Sequence, residues 1–167
     1  MFSCRISSCS VGFYQSRLFP FSKRESEVNT LKGLQGVGVA VEDIGADAVT
    51  DGLDKAKLLA SVIQKLKTAK IKVYTDIELP TVSGQPTLVV NINTVKHPGP
   101  IYIFTAALDL DQIVILERNK GLTAVSPTWS VLTTGGSVPG NLIEDALSFI
   151  DPMVDSFIAD YKKANPN

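Results

Sequence analysis

The run from Ile101 to Glu117, IYIFTAALDLDQIVILE, constrains the fold more than any other stretch. Its 17 residues read as strand throughout, where a typical strand has about five or six. The alternation shifts near Asp109-Leu110-Asp111-Gln112, which predicts a bulge or a bend. Arg118-Asn119-Lys120-Gly121 then reads as a hairpin turn, with the glycine supplying positive φ. A further strand follows from about Ala124 to Thr133, and Pro127 inside it marks an edge or a break.

Other segments supply what packs around that hairpin. Leu31 to Ile44 opens the folded body. Val37, Val39 and Val41 alternate with Gly38, Ala40 and Glu42, a strand whose small residues suggest close packing on that side. Gly45 to Thr50 reads as a turn, with Asp51 as the cap of a helix from about Gly52 to Ala69. Leu53, Ala56, Ala60, Ile63 and Leu66 form its apolar stripe. Ile71 to Leu79 alternates as a second strand and Thr87 to Val95 as a third. In the third, Leu88, Val90 and Ile92 oppose Asn91 and Asn93. After a loop at Gly135–Gly140, Asn141 is the expected N-cap of the closing helix, with Glu144 in the capping-box position. Ile143, Leu147, Ile150, Val154, Phe157 and Tyr161 make its stripe. Pro152 lies within it, so the helix either bends or divides there.

The order β-α-β-β-β-β-α predicts an α+β fold: a two-layer sandwich with a mostly antiparallel sheet of about five strands and two helices on one face. Residues 30–167 would form this single domain. Residues 1–29 read as a basic, Ser-rich, disordered tail. The tail lacks the apolar run of a secretory signal, so a periplasmic location would require a misassigned start. Its bias also fits an organelle transit peptide.

Charge is uneven. Arg5, Arg17, Lys23 and Arg24 precede the first acid, Glu25; removing those four from 16 basic residues leaves 12 against 17 acids, about −5 for the body. That argues against nucleic acid, which calls for a basic stripe. No run approaches the roughly 18 apolar residues of a membrane-spanning helix. Both cysteines, Cys4 and Cys9, lie in the tail, so the body offers no thiolate zinc site and no thiol nucleophile.

Chemistry-bearing residues are few. The only histidine, His97, sits in a Pro-Gly loop with no acid beside it to complete a triad. Asp109 and Asp111 are two apart and share a strand face, with Glu117 on the same parity if no bulge intervenes. Paired acids can serve acid/base chemistry, though a hard cation asks for more oxygens than two. Gly135, Gly136 and Ser137 precede a helix and could cradle an anion, but they lack a phosphate loop's Gly-Lys-Ser/Thr ending. Trp129 is either a binding aromatic or a residue packed under a helix. No metal site or cofactor is expected from these residues.

GVGVAVEDI, KLKTAKIKVYT, the long strand running into ILER, TWS, and the ending VDSFIADYKKANP together resemble a family of small uncharacterised bacterial proteins. Phe157, Asp160, Tyr161, Asn165 and Pro166 fall in register with that family's close. The resemblance covers about Leu31 to Pro166 and implies a fold, often behind a secretory signal, without implying an activity. Two functions are therefore weighed. One is a non-enzymatic binding or assembly module that offers a sheet face or an edge near Pro127 to a protein partner. The alternative is a small hydrolase or metal-assisted enzyme using Asp109, Asp111, Glu117 and His97.

Overall fold

The computed structural model describes residues 23–98 and 101–166. In chain order the elements are α1 (Lys23–Asn29), β1 (Gly36–Val41), α2 (Ala46–Thr50), α3 (Lys55–Thr68), β2 (Lys72–Val73), a 3₁₀ turn (Leu79–Thr81), β3 (Thr87–His97), β4 (Ile101–Leu116), β5 (Asn119–Ser137) and α4 (Leu142–Ala164). The fold is α+β, with one five-stranded sheet ordered β2-β1-β3-β4-β5.

The sheet is mixed: the expected mostly antiparallel arrangement holds for β3-β4-β5 and not for the pairs that β1 makes. β1 lies parallel to both β2 and β3, and only β3-β4-β5 form an antiparallel meander. The parallel pairs arise because the connections leaving β1 carry α2 and α3 before the chain returns.

Period-two burial divides the sheet. Val37 and Val41 on β1, Leu88, Val90 and Ile92 on β3, and Tyr102, Phe104, Ala106, Leu108 and Leu110 on β4 are buried in one core. α3 packs on β1 and β2, α4 packs on β4 and β5, and the two helices touch each other. Leu58, Val62 and Leu66 of α3 and Ile150, Val154 and Phe157 of α4 complete that core.

Several boundaries moved for local reasons. The second strand shrinks to two residues because Thr75 and Glu78 bond to each other instead of to a neighbouring strand. The Thr75 backbone N–H and hydroxyl both donate to the Glu78 carboxylate, at 2.9 and 3.0 Å. Asp54, not Asp51, caps α3, accepting from the Ala56 and Lys57 amides at 2.8 and 3.2 Å. Asp51 is engaged elsewhere, by Lys96 and Tyr102 at 2.7 and 2.6 Å. The β4–β5 turn falls at Glu117-Arg118. Gly121 lies within β5 and is not among the glycines with positive φ.

α4 is a single helix that includes Pro152. Proline removes the donor to the Ser148 carbonyl, and both residues are exposed, so water can reach that group. Asn141 is the N-cap, but its side chain makes no capping bond.

The expected tail ends earlier than proposed. Residues 23–29 form α1, with Val28 buried. So short a helix has little stability of its own and is held by tertiary contacts. Arg24 pairs with Asp160 at 2.5 Å and lies 5.1 Å from the Trp129 ring centre. Residues 1–22, including Cys4 and Cys9, lie outside the described residues.

Candidate functional site

The side of β3-β4-β5 away from the core carries an unusual surface. Counting along β4, the same parity presents Ile101, Ile103, Thr105, Ala107, Asp109, Asp111, Ile113 and Ile115. Val95 pairs with Ile103, and Leu132 pairs with Ala107. Val95, Ile103 and Leu132 are 66%, 53% and 72% exposed. Scattered apolar residues on a surface are ordinary; here they share one sheet face, in two rows separated by that of Asn93, Thr105 and Thr134, which is the arrangement of a contact surface.

An acidic strip interrupts the apolar rows. Asp109 opposes Val89 and Ser130, and Asp111 opposes Thr87 and Pro127. Glu42, which continues β1, accepts a hydrogen bond from the Asn91 amide. Asn93 donates in turn to Asn91 at 2.7 Å, and the Ser130 hydroxyl donates to Asp109. These donors are neutral. Burial first, then the charges of Asp109 and Glu42, push the Asp111 carboxyl above the ordinary carboxylate value. Among the described residues, no group of three or more His, Cys, Asp or Glu is placed to hold a metal ion.

Beyond Asp111 the hairpin leaves the sheet. The β3 ladder ends at the Thr87–Asp111 pair, and the β4–β5 register shifts between Leu110 and Asp111, where the sequence predicts a bulge. From Gln112 to Ser126 the two strands continue as a ribbon. Its attachment beyond β3 includes the Ile113 amide, which donates to the Gly84 carbonyl at 2.8 Å. Ile115 and Val125 on this ribbon are 63% and 70% exposed. The lower end of the open face is partly covered: a side chain on Gly38 would meet Leu79 at 2.8 Å, the close packing that the small residues of β1 suggest.

The proposed acid set does not converge. Asp109 and Asp111 are neighbours on this face. His97 pairs with Ile101 at one end of β4, whereas Glu117 follows Leu116 at the other. At roughly 3.4 Å per residue, that separates the two by about 50 Å along the 16-residue strand. His97 and Glu117 are both exposed. The recess of about 640 Å³ at the start of α3 and that of about 340 Å³ beside β2 are lined by none of the four.

The Trp129 to Ser137 segment is structural in its contacts. Trp129 is fully buried, edge-on to Phe157 at 5.2 Å between ring centres, and its indole N–H donates to Asp160 at 2.9 Å. Gly135, Gly136 and Ser137 are the last residues of β5, not a loop. Gly135 lies under Phe149, where an added Cβ would come within 2.7 Å of the ring. Ser137 is buried and its hydroxyl donates to Asp145 at 2.6 Å. Gly136 belongs to the exposed parity, beside Ile103.

β5 is an edge strand, as Pro127 implies, and the middle of its outer edge is engaged. The Thr128 carbonyl accepts from the Thr30 hydroxyl at 3.2 Å, and the Ser130 carbonyl accepts from Arg24 at 3.4 Å. Sequence reasoning missed Arg24, which acts across 106 residues, and Leu132, whose placement depends on the bulge.

The residues of the chain's acidic-aromatic ending have local roles. Phe157 and Asp160 hold Trp129. The Tyr161 hydroxyl donates to the Leu34 carbonyl at 2.7 Å, and the Asn165 side chain accepts from the Gly33 amide at 2.7 Å and donates to the Leu31 carbonyl at 2.9 Å. The ending thus ties α4 to the turn before β1. Comparison with protein-family models, curated proteins and solved structures gives no significant match. No helix of the described residues is long and apolar enough to cross a membrane.

Proposed function

We propose that this chain is a non-enzymatic binding or assembly module that docks a protein partner on the open face of β3-β4-β5 and on the ribbon that prolongs it. We also read the helices as one layer of a two-layer sandwich, with the other sheet face left for the partner. The observation that carries this reading is the exposure of Val95, Ile103 and Leu132 on one sheet face, continued by Ile115 and Val125 on the ribbon. Apolar surface of that kind gains about 25 cal/mol per Å² when a partner removes it from water. A two-stranded ribbon is also marginal alone and gains from being covered.

The test is retention of a partner from extract of the source cells by three immobilised forms of the chain. These are the native sequence, Ile103→Asp/Leu132→Asp, and Lys57→Asp on the exposed side of α3. A stoichiometric partner kept by the native chain and by Lys57→Asp but lost by the double variant supports the reading. Equal retention by all three, or retention of nothing, contradicts it.

A further inference from the structure

The chemistry of the partner follows from the order of residues on the open face, given the docking reading above. Along β4 that face runs apolar, acidic, apolar: Ile103 with Val95, then Asp109 and Asp111 beside Glu42, then Ile113 with Val125. The basic side chains that form ion pairs do so with other acids: Lys55 with Asp43, Lys65 with Asp155, Lys72 with Glu78, Lys96 with Asp51 and Arg24 with Asp160. Among the described residues, none forms an ion pair with Glu42, Asp109 or Asp111.

A partner that covers the apolar rows on both sides must also cover the acids between them. Burying ionised carboxylates without a counter-charge is expensive. A second copy laid face to face sets these acids against identical acids or against its own apolar rows, and neither neutralises them. Polyanions such as nucleic acid are repelled. A cation supplies both the pairing and the discrimination against wrong partners.

We propose that the occupant is an amphipathic cationic segment of a protein partner, with Lys or Arg residues over Asp109 and Asp111, apolar residues over Leu132 on one side and Ile113 on the other, and Glu42 flanking it from β1 at the level of Leu132. Leu132 lies at the level of Ala107, six residues of β4 from Ile113, or about 20 Å at strand rise. An α-helix of about 14 residues spans that length.

The probe is a fluorescein-labelled, helix-forming peptide of about 15 residues, with leucines at both ends of one face and two arginines between them. A matched peptide carries glutamates in place of the arginines. Both are titrated against the full chain by fluorescence anisotropy, and each variant's unfolding midpoint is recorded.

The arginine peptide is expected to bind, to weaken as salt is raised, and to lose roughly tenfold or more in affinity on Asp109→Asn/Asp111→Asn. If that variant fails to fold, Glu42→Gln provides the same readout with a smaller loss. The glutamate peptide is expected not to bind. Equal binding of the two peptides, abolished by Ile103→Asp/Leu132→Asp, overturns the cationic assignment and leaves the docking face standing. Binding of the arginine peptide that ignores both acid variants also overturns it, as does no binding of either peptide. The docking reading itself stands or falls on the retention experiment.

Discussion

The inner and outer halves of the β4–β5 hairpin share one ladder and differ in what lies against them. In the inner half, Leu110 faces Trp129 and Phe104 faces Gly135, and α4 closes that side with Phe157 and Phe149. In the outer half, past Asp111, the strands stay paired but carry exposed Ile115 and Val125. Residue type does not separate the halves, since both are rich in β-branched and aliphatic side chains. The difference is topological: β3 and α4 reach only as far as the bulge. Apolar residues of the inner half are therefore divided between the core and the open face, where Ile103 and Leu132 are exposed, whereas those of the outer half have no helix to pack beneath.

Four variants sharpen this contrast. The largest effect is expected for Trp129→Ala, which removes a fully buried ring and its bond to Asp160. It should cost about 3–5 kcal/mol in denaturant-induced unfolding; a loss below about 1 kcal/mol would show that the inner half is not packed as described. Gly135→Ala comes next. Its methyl would press on Phe149, itself edge-on to Phe104 at 5.1 Å, and overpacking there should cost roughly 1–3 kcal/mol. A smaller effect, of opposite sign, is expected at the junction. Burial, followed by Asp109 and Glu42, raises the Asp111 carboxyl above its ordinary value, so the folded chain holds that proton more tightly than the unfolded chain. The stability this proton brings is complete below the unfolded value and is lost as pH rises through the folded one. Asp111→Asn should therefore raise Tm slightly at neutral pH, and the gain should vanish in acid; a lowered Tm at neutral pH contradicts the crowding of acids on this face. The smallest effect is expected for Ile115→Thr/Val125→Thr on the ribbon. Both positions are exposed and stay β-branched, so unfolding free energy should stay within about 0.5 kcal/mol per site.

Much of this was legible from periodicity. The alternation of Leu88, Val90 and Ile92 with Asn91 and Asn93, the pattern shift at Asp111 and the stripe of α4 all appear where residue spacing places them. Elements decided by distant contacts were not legible. α1 has no apolar stripe and depends on Arg24 meeting Asp160. The segment after Val73 alternates like a strand, yet the Thr75–Glu78 bonds turn it, leaving Ile77 87% exposed. Gly135-Gly136-Ser137 resembles a loop because glycine is read as flexibility; here Gly135 provides room for Phe149. Of the candidate site, the sharing of one face by Asp109 and Asp111 could be read from their spacing. The contribution of Glu42 to that face could not, because it requires the parallel register of β1 on β3.

The most direct test of the account places a photo-cross-linking amino acid at position 132 on the open sheet face and, separately, at position 57 on α3, in the presence of native cell extract. The account predicts a discrete covalent adduct from position 132 and none from position 57, with the adduct suppressed by Asp109→Asn/Asp111→Asn. Adducts of equal yield from both positions, or from position 57 alone, would contradict the claim that the open face is where this protein meets its partner.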